Sequence, residues 1–433
     1  MASTYLTRTM GTPTNATKQT LSVWIKLSAN SDYGGIVTSQ YESLAGGAGH
    51  WTGNNESIYG NWTYNGTANG ETRTTALGRD FSGWYHIVST QDASQSGTDK
   101  SKIWINGVLQ TDFASDNRSN FSTHASWFAN GKTLHIGRKF DGTLYFNGIM
   151  SHLHLCDGYA YQASDFGSFD STTGEWKINT APSVNYGNQG FFILKDNAGT
   201  TDLSGNGNNF TVSGGTLTKT EDCPSNVFAT MNSLNYTSSA IAYANGNTKP
   251  QYPGSWIASL GTLGAKAGKY YWEAKVASGN NQNLFYGIST AAVDLDTSPQ
   301  NKAGVISQHI NGDRYVDTTY TASAAEALTN GDILGVALDL DSGTKTVKFY
   351  KNGSLLTSSS SVNLTSTFDD EFIFPIFIGN NSSASSAWEV NFGNGYFGTT
   401  AVSSAGTNAS NLGIFEYDVP SGYTALCTKG LNE

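Results

Sequence analysis

The sequence predicts an all-β protein of two antiparallel β-sandwich domains in tandem, and three observations lead there. Short apolar runs recur at the strand period of two, divided by Gly, Asn, Asp and Ser. The composition favours pleated strands and turns: 49 Gly, 22 Tyr and 21 Phe accompany abundant Ser, Thr and Asn, and no long Ala/Leu/Glu/Lys segment shows helical spacing. The length, 433 residues, exceeds what one hydrophobic core organises, so two domains are expected, each with a substantial apolar interior. Helix should be scarce.

Residues 1–212 read as the first domain. Its strands are LSVWIKL from Leu21, WYHIVST from Trp84, KIWINGVLQ from Lys102, LHIGRKF from Leu134 and GIMSHLHL from Gly148. Asn106-Gly107 joins two apolar runs as a tight hairpin, because Asn and Gly tolerate the positive φ angles of that turn. Residues 213–247, rich in Gly, Asn, Ser and Thr, read as a semi-ordered connector. Residues 248–433 read as the second domain, and its clearest part is GDILGVALDLDSGTKTVKFYKNGSL, Gly331 to Leu355. There Leu334, Val336, Leu338 and Leu340 make one apolar face, and Ile333, Gly335, Ala337, Asp339 and Asp341 point the other way. After the Asp341-Ser342-Gly343 turn, Val347 and Phe349 resume the apolar face, and GKYYWEAKV, Gly268 to Val276, is the expected partner strand. The closing stretch GIFEYDVPSGYTAL, Gly413 to Leu426, is apolar enough to return onto this sandwich. No heptad, collagen-like or β-helical repeat is present.

Net charge is −10, from 24 Lys+Arg against 34 Asp+Glu, which disfavours nucleic acid and anionic membranes as partners, since both recruit a positive field. Charged residues make up only 13%, so Ser, Thr and Asn carry much of the surface polarity; that suits neutral partners such as glycans and equally suits plain solubility. Cys156, Cys223 and Cys427 lie far apart and show neither a disulfide framework nor metal-ligand spacing. The start, MASTYLTRTMGTPT, lacks the regions of a secretion signal, and no segment is long and apolar enough to span a bilayer, so folding in the cytoplasm of the producing cell is expected.

The YYWE strand followed by Asp332, Gly335, Val336, Leu338 and Asp339, a turn, and Asn352-Gly353 resembles the SPRY domain, a β-sandwich that binds partners. The first block, with SVWIKL, WYHIV, KIWINGV, Ile136-Gly137 and Phe146-Asn147-Gly148-Ile149 in that order, resembles the laminin-G-like, concanavalin-type jelly roll. SDFGSFDSTTGEWKI from Ser164, DLSGNGNNFTV from Asp202, DCPSNVFATMN from Asp222 and VPSGYTALCTKGL from Val419 are similar to segments of marine bacteriophage proteins that pair these two domains. That resemblance implies a virion structural protein displayed on the particle, partnered by other virion proteins, with homo-oligomers expected. Because the first strand begins almost at Met1, attachment through a sandwich face or the C-terminal segment is expected.

Jelly rolls of this type include glycosidases, which need two carboxylates held roughly 5 to 10 Å apart. No E-x-D-x-x-E occurs, and Glu416-Tyr417-Asp418 is the nearest fragment, so catalysis is not expected. His152 and His154 share one side of a strand with Cys156, a geometry open to a metal or to ordinary sheet packing. The laminin-G-like resemblance implies a calcium site at the rim, for which Asp112, Asp116 and Asp141 are the loop candidates, with simple loop solvation as the alternative. HWTGNNESIYGNWTYNGT gathers Trp51, Tyr59, Trp62 and Tyr64 among Asn and Gly: rings stack on sugars and amides bond hydroxyls, but a hairpin with its rings in the core reads the same. In the SPRY-like block the loop HINGDRYVD offers Arg314 and Tyr315 as anchors. The resulting expectation is a noncatalytic virion surface protein binding host-surface glycan or another virion protein through its loops; the alternative is a purely architectural decoration, cement or tail-adaptor protein.

Overall fold

A computed structural model describes residues 4–28, 33–40, 47–52, 57–64, 69–123, 130–195, 199–234, 241–252, 255–277, 283–356, 361–380 and 387–432. The chain divides into two compact units, Met1–Lys219 and Thr220–Glu433. Among the described residues there is no α-helix, only short 3₁₀ turns, so the scarcity of helix holds.

In the first unit an eight-stranded sheet runs in the order Phe113–Ser115, Asn69–Thr74, Gly60–Tyr64, Gly47–Thr52, Gly34–Gln40, Thr133–Ile136, Tyr5–Thr9 and Thr211–Gly214. It faces a six-stranded sheet ordered Phe191–Ile193, Gly148–Asp157, Lys18–Leu27, Tyr85–Asp92, Ser101–Ile105 and Val108–Leu109. Period-two alternation sends Leu21, Val23, Ile25 and Leu27 into the core with Ile87, Ile103 and Leu155. Each such side chain contributes about 1.5–3 kcal/mol when fully buried. The opposite residues of the same strand, Thr20, Ser22, Trp24 and Lys26, are buried too. They are buried because residues 158–188 fold over the outer face of the six-stranded sheet. This flap carries the hairpin Gly167–Phe169/Trp176–Ile178, and Phe166, Tyr161 and Trp176 pack with Val88, Trp104 and Cys156.

The second unit repeats the plan. One sheet is ordered Ile257–Leu260, Ile373–Gly379, Leu284–Thr290, Val305–His309, Arg314–Val316 and Thr319–Thr321. The other centres on Lys269–Val276 and Ile333–Asp339, in antiparallel register with Tyr270 opposite Leu338 and Trp272 opposite Val336. Leu334, Val336, Leu338, Leu340, Val347 and Phe349 enter the core with Trp272 and Trp388, as the alternation requires. Tyr271 and Ala337 face outward, where Phe415, Val419 and Tyr423 of the closing segment cover them. Thr424–Ala425 then lies parallel to Tyr270–Tyr271.

Both Asn-Gly turns form as left-handed hairpins, Asn106 and Gly107 at φ 47° and 77°, Asn352 and Gly353 at φ 49° and 80°. Each Asn also adds one rung to its sheet. Asn106 donates its N–H to His86 O (2.8 Å) and accepts the His86 N–H on Oδ1 (2.7 Å); Asn352 makes the same pair with Ile333 (2.8 and 2.9 Å).

The stretch 213–247 departs from the expected connector. Thr211–Gly214 pairs with Tyr5–Thr7 and belongs to the first sheet. Phe228 bridges Cys427, Met231 bridges Gly261, and Phe228, Ala229 and Met231 are buried in the second unit. Turn-rich composition here serves clamps that close each sandwich, since Asn, Ser and Thr satisfy backbone groups where no ladder does.

Candidate functional site

The residues expected to contact a ligand lie in both units, and most of those described are buried. Trp51 is 3% and Tyr59 0% exposed, and Tyr59 belongs to the core between the two sheets. Its hydroxyl bonds to His50 Nδ1, and burial raises the phenol far above its ordinary value. A ring packed between sheets presents no face to a sugar, so Tyr59 is structural, and Trp51 is buried too. The side chains of Trp62 and Tyr64 lie outside the described residues. Arg314 is 5% exposed and turns inward, its Nε donating to Gln308 Oε1 at 2.7 Å and its guanidinium 5.8 Å from the Phe349 ring centre, so it is a core cation and no surface anchor. Tyr315, one residue on, faces the other way and packs against Phe285 on the outer face of its sheet.

Of the three aspartates expected to offer a calcium site, Asp116 and Asp141 are engaged through their carboxylates. Asp116 receives Arg118 Nε and Nη2, both at 2.8 Å, and that bond holds its carboxyl below the ordinary range. Asp141 pairs with Lys139 at 2.6 Å and caps Thr143. Asp112 is exposed and accepts the Thr75 N–H on its carbonyl oxygen. Among the described residues no group of three His, Cys, Asp or Glu side chains gathers to hold a metal. His152 stands at φ 47° in a bulge, His154 bonds Tyr186, and both rings lie against Phe192. The carboxylates of Glu416 and Asp418 tie loops, accepting the N–H groups of Ser403 (2.7 Å) and Thr407 (2.6 Å).

What the fold does bring together is a groove of about 440 Å³ where the flap of the first unit meets the turn after Phe191–Ile193. Its lining is Tyr161, Ser183, Asn185, Tyr186, Ser204 and Asn206, with Val184 between them. Three local devices hold it. Tyr161 Oη accepts the Asn185 N–H at 2.7 Å, and Tyr186 Oη meets His154 Nδ1 at 2.8 Å with the two rings stacked 6.0 Å apart. Asp202, 8% exposed, is the hub of the turn: it accepts N–H groups from Phe192, Ser204 and Asn208 at 2.8–2.9 Å and the Ser204 hydroxyl at 2.8 Å. Asn206 Nδ2 reaches Gly187 O at 2.6 Å and Gly190 O at 3.2 Å, joining turn to flap. Gly187 sits at φ 64° with Asp157 O 2.0 Å from where a Cβ would stand, so only glycine permits this approach. Burial raises the Tyr186 and Tyr161 phenols, which therefore stay neutral hydrogen-bonding groups. The groove is lined by two tyrosines, amides and hydroxyls, its surface is mostly polar, and none of the seven lining side chains is charged.

Residues 2–164 match the concanavalin A-like lectin/glucanases superfamily (Laminin_G_3), and residues 269–395 match the SPRY domain. The chain carries a concanavalin A-like domain and a SPRY domain in tandem. Similar solved structures include the SPRY domain of human HERC1 (16% identity, 37% of this chain and 96% of that one, TM-score 0.30) and the PSpry domain of TRIM65 (11%, 37% and 89%, 0.30). A heptameric SAP-like pentraxin from Limulus polyphemus is similar at 15% identity over 37% of this chain and 71% of that one, TM-score 0.28. No curated protein matches the sequence. Domains of both kinds are often binding modules for protein or carbohydrate.

The concanavalin-like unit's groove was missed in the sequence, although GYAYQ at 158–162 and VNYGNQG at 184–190 mix aromatic rings with amides just as the stretch at 50–67 does. The mixture is the available signal, and it does not say which copy faces solvent.

Proposed function

We propose that this chain is a noncatalytic binding protein of a phage virion surface, and that the groove of the concanavalin-like unit holds a neutral saccharide of the host surface. The observation that carries the ligand class is the lining, polar and uncharged: Asn185, Asn206, Ser183 and Ser204 supply polar atoms suited to sugar hydroxyls, beside Tyr161 and Tyr186. A groove with no carboxylate lacks the acid–nucleophile pair of a glycosidase, which supports binding without cleavage. The virion reading is supported by the likeness of four segments, from Ser164, Asp202, Asp222 and Val419, to marine phage proteins; all four serve as clamps here, in the flap, the Asp202 turn and the Phe228–Cys427 closure. Many copies on one particle would raise apparent affinity by roughly 10² to 10⁴ with no new contact.

The test is a glycan array probed with the multimerised chain, followed by saturation-transfer NMR on any hit. Tyr161→Ala should weaken a neutral-glycan hit by roughly three- to tenfold and Tyr161→Phe by less. Silence across the array, or equal binding by wild type and Tyr161→Ala, rejects the saccharide reading. The architectural alternative has its own support: Val108 (56% exposed) and Phe169 (52%) leave an apolar corner where Gly107 abuts Trp176, and Phe169 packs on that Trp at 4.8 Å. A particle reconstruction with this corner buried against the shell favours decoration, including contact between copies; loops directed outward at a tail tip favour adhesion.

A further inference from the structure

Five aromatic side chains cross the outer face of the six-stranded sheet of the SPRY unit, away from its core. They are Trp256, Phe285, His309, Tyr315 and Tyr320. The register sets them in a band that crosses the strands diagonally: Phe285 is directly opposite His309, while Tyr315, directly opposite Tyr320, pairs with Ser307, two residues along from His309. Ring centres are 5.3 Å apart for Trp256–Phe285, 4.5 Å for Phe285–His309, 6.0 Å for Phe285–Tyr315 and 5.2 Å for Tyr315–Tyr320. Phe285, at 5% exposure, is the floor; Trp256, His309 and Tyr315 are half-buried and Tyr320 is 51% exposed. Ala258, Ile376 and Ile378 pack beside the floor and keep it stiff.

One edge of the band is polar and locked. Asp313 Oδ2 accepts the Tyr320 hydroxyl and Asn311 Nδ2, both at 2.9 Å, and Asp313 Oδ1 accepts the Ser323 N–H at 2.9 Å. His309 Nδ1 accepts the Asn311 N–H at 3.2 Å, which places the neutral ring's proton on Nε2. The loop is thus ordered before any ligand arrives, and little ordering entropy is lost on binding.

We propose that this band is a second carbohydrate site, on which a neutral polysaccharide chain lies across the strands with its sugar rings stacked on Trp256, Tyr315 and Tyr320. Strands stand about 4.7–4.9 Å apart, so aromatic positions repeating from strand to strand form a ladder of flat faces that a linear chain of pyranose rings can follow. An added peptide strand would use a sheet edge and its backbone groups, whereas this band lies on the face. Anionic chains are disfavoured because the ionised group at the rim is Asp313, while Arg314 turns its charge into the core. The site lies in a different unit from the Tyr161 groove and stands or falls apart from it.

Full-length protein titrated with cello-, laminari- and mannohexaose, followed by intrinsic tryptophan fluorescence and affinity electrophoresis in the parent polysaccharides, tests the proposal; alginate is the anionic control. At least one neutral chain should bind, alginate should not, Tyr320→Ala should weaken binding roughly three- to tenfold, and Tyr320→Phe, which keeps the ring, less than threefold. Tyr320 is exposed on an edge strand, so both variants should fold, which thermal melting verifies. Tyr320→Ala should weaken binding by the same factor when Tyr161 is already Ala, as independent sites require. The proposal is overturned if no neutral chain binds, if alginate binds better, or if Tyr320→Ala binds like wild type. It is equally overturned if only Tyr161→Ala loses binding, which assigns the sugar to the groove, or if sedimentation shows self-association that Tyr320→Ala abolishes.

Discussion

Glu273 shows how much one side chain can hold. Fully buried on Lys269–Val276, its carboxylate accepts the Glu416 and Tyr417 N–H groups at 2.8 and 2.9 Å and the Tyr271 hydroxyl at 3.1 Å, fastening the closing segment onto the sheet. Burial outweighs those donors and pushes the carboxyl up to about 7. A folded value above the unfolded one means that the folded state binds the proton more tightly. The associated stability is therefore complete below about pH 4.5 and is lost as pH rises towards 7. Glu273→Gln cannot titrate, so the melting temperature of wild type minus that of the variant should fall across this window, whatever constant offset the amide brings. Thermal melts from pH 4 to pH 8 measure it, and a pH-independent difference would remove Glu273 as the cause.

At the level of elements, the flap over the first sandwich behaves as a lid bonded to histidines. Trp176 Nε1–H donates to His86 Nδ1 at 2.9 Å, and His86 Nε2 bonds Ser22 Oγ at 2.9 Å, with the imidazole stacked on Trp24 at 4.6 Å. Protonating Nδ1 would set one N–H against another. Burial, then the charge of His152, pushes His86 down to about 3, so here the folded state disfavours the proton and stability is lost as pH falls from about 6.5 towards 3. His86→Phe keeps a stacked ring without titrating; the first unit of that variant should lose less stability on acidification, as amide exchange in residues 163–178 would report. Equal acid sensitivity would count against the lid bond. The strands beneath were legible because Leu21, Val23 and Ile25, or Leu334, Val336 and Leu338, alternate visibly, and because Asn106-Gly107 and Asn352-Gly353 require one turn type. The groove was not, since Tyr161, Asn185 and Asn206 come from three irregular stretches with no period to read. The sequence leaves Tyr59 open between core and surface for a related reason: alternation shows which residues share a face, but not which face the other sheet will cover.

Each unit has its own main core, Leu21 to Phe191 and their neighbours in the first and Trp272, Tyr286 and Trp388 in the second, with smaller apolar clusters beside it. Calorimetry should accordingly resolve two transitions. Trp272→Ala, removing a fully buried side chain, should cost the SPRY unit about 3–5 kcal/mol and leave the other transition in place; a single transition that moves as a whole would mean the cores are coupled. Within each unit, early and late segments meet. Tyr5–Thr7 pairs with Thr211–Gly214, and Val227 exchanges two hydrogen bonds with Thr428, its N–H to Oγ1 at 3.0 Å and its O from N–H at 2.9 Å. A unit whose ends touch is a cassette: spliced into a surface loop of a foreign protein it stretches nothing, and circularly permuted it keeps its sheets.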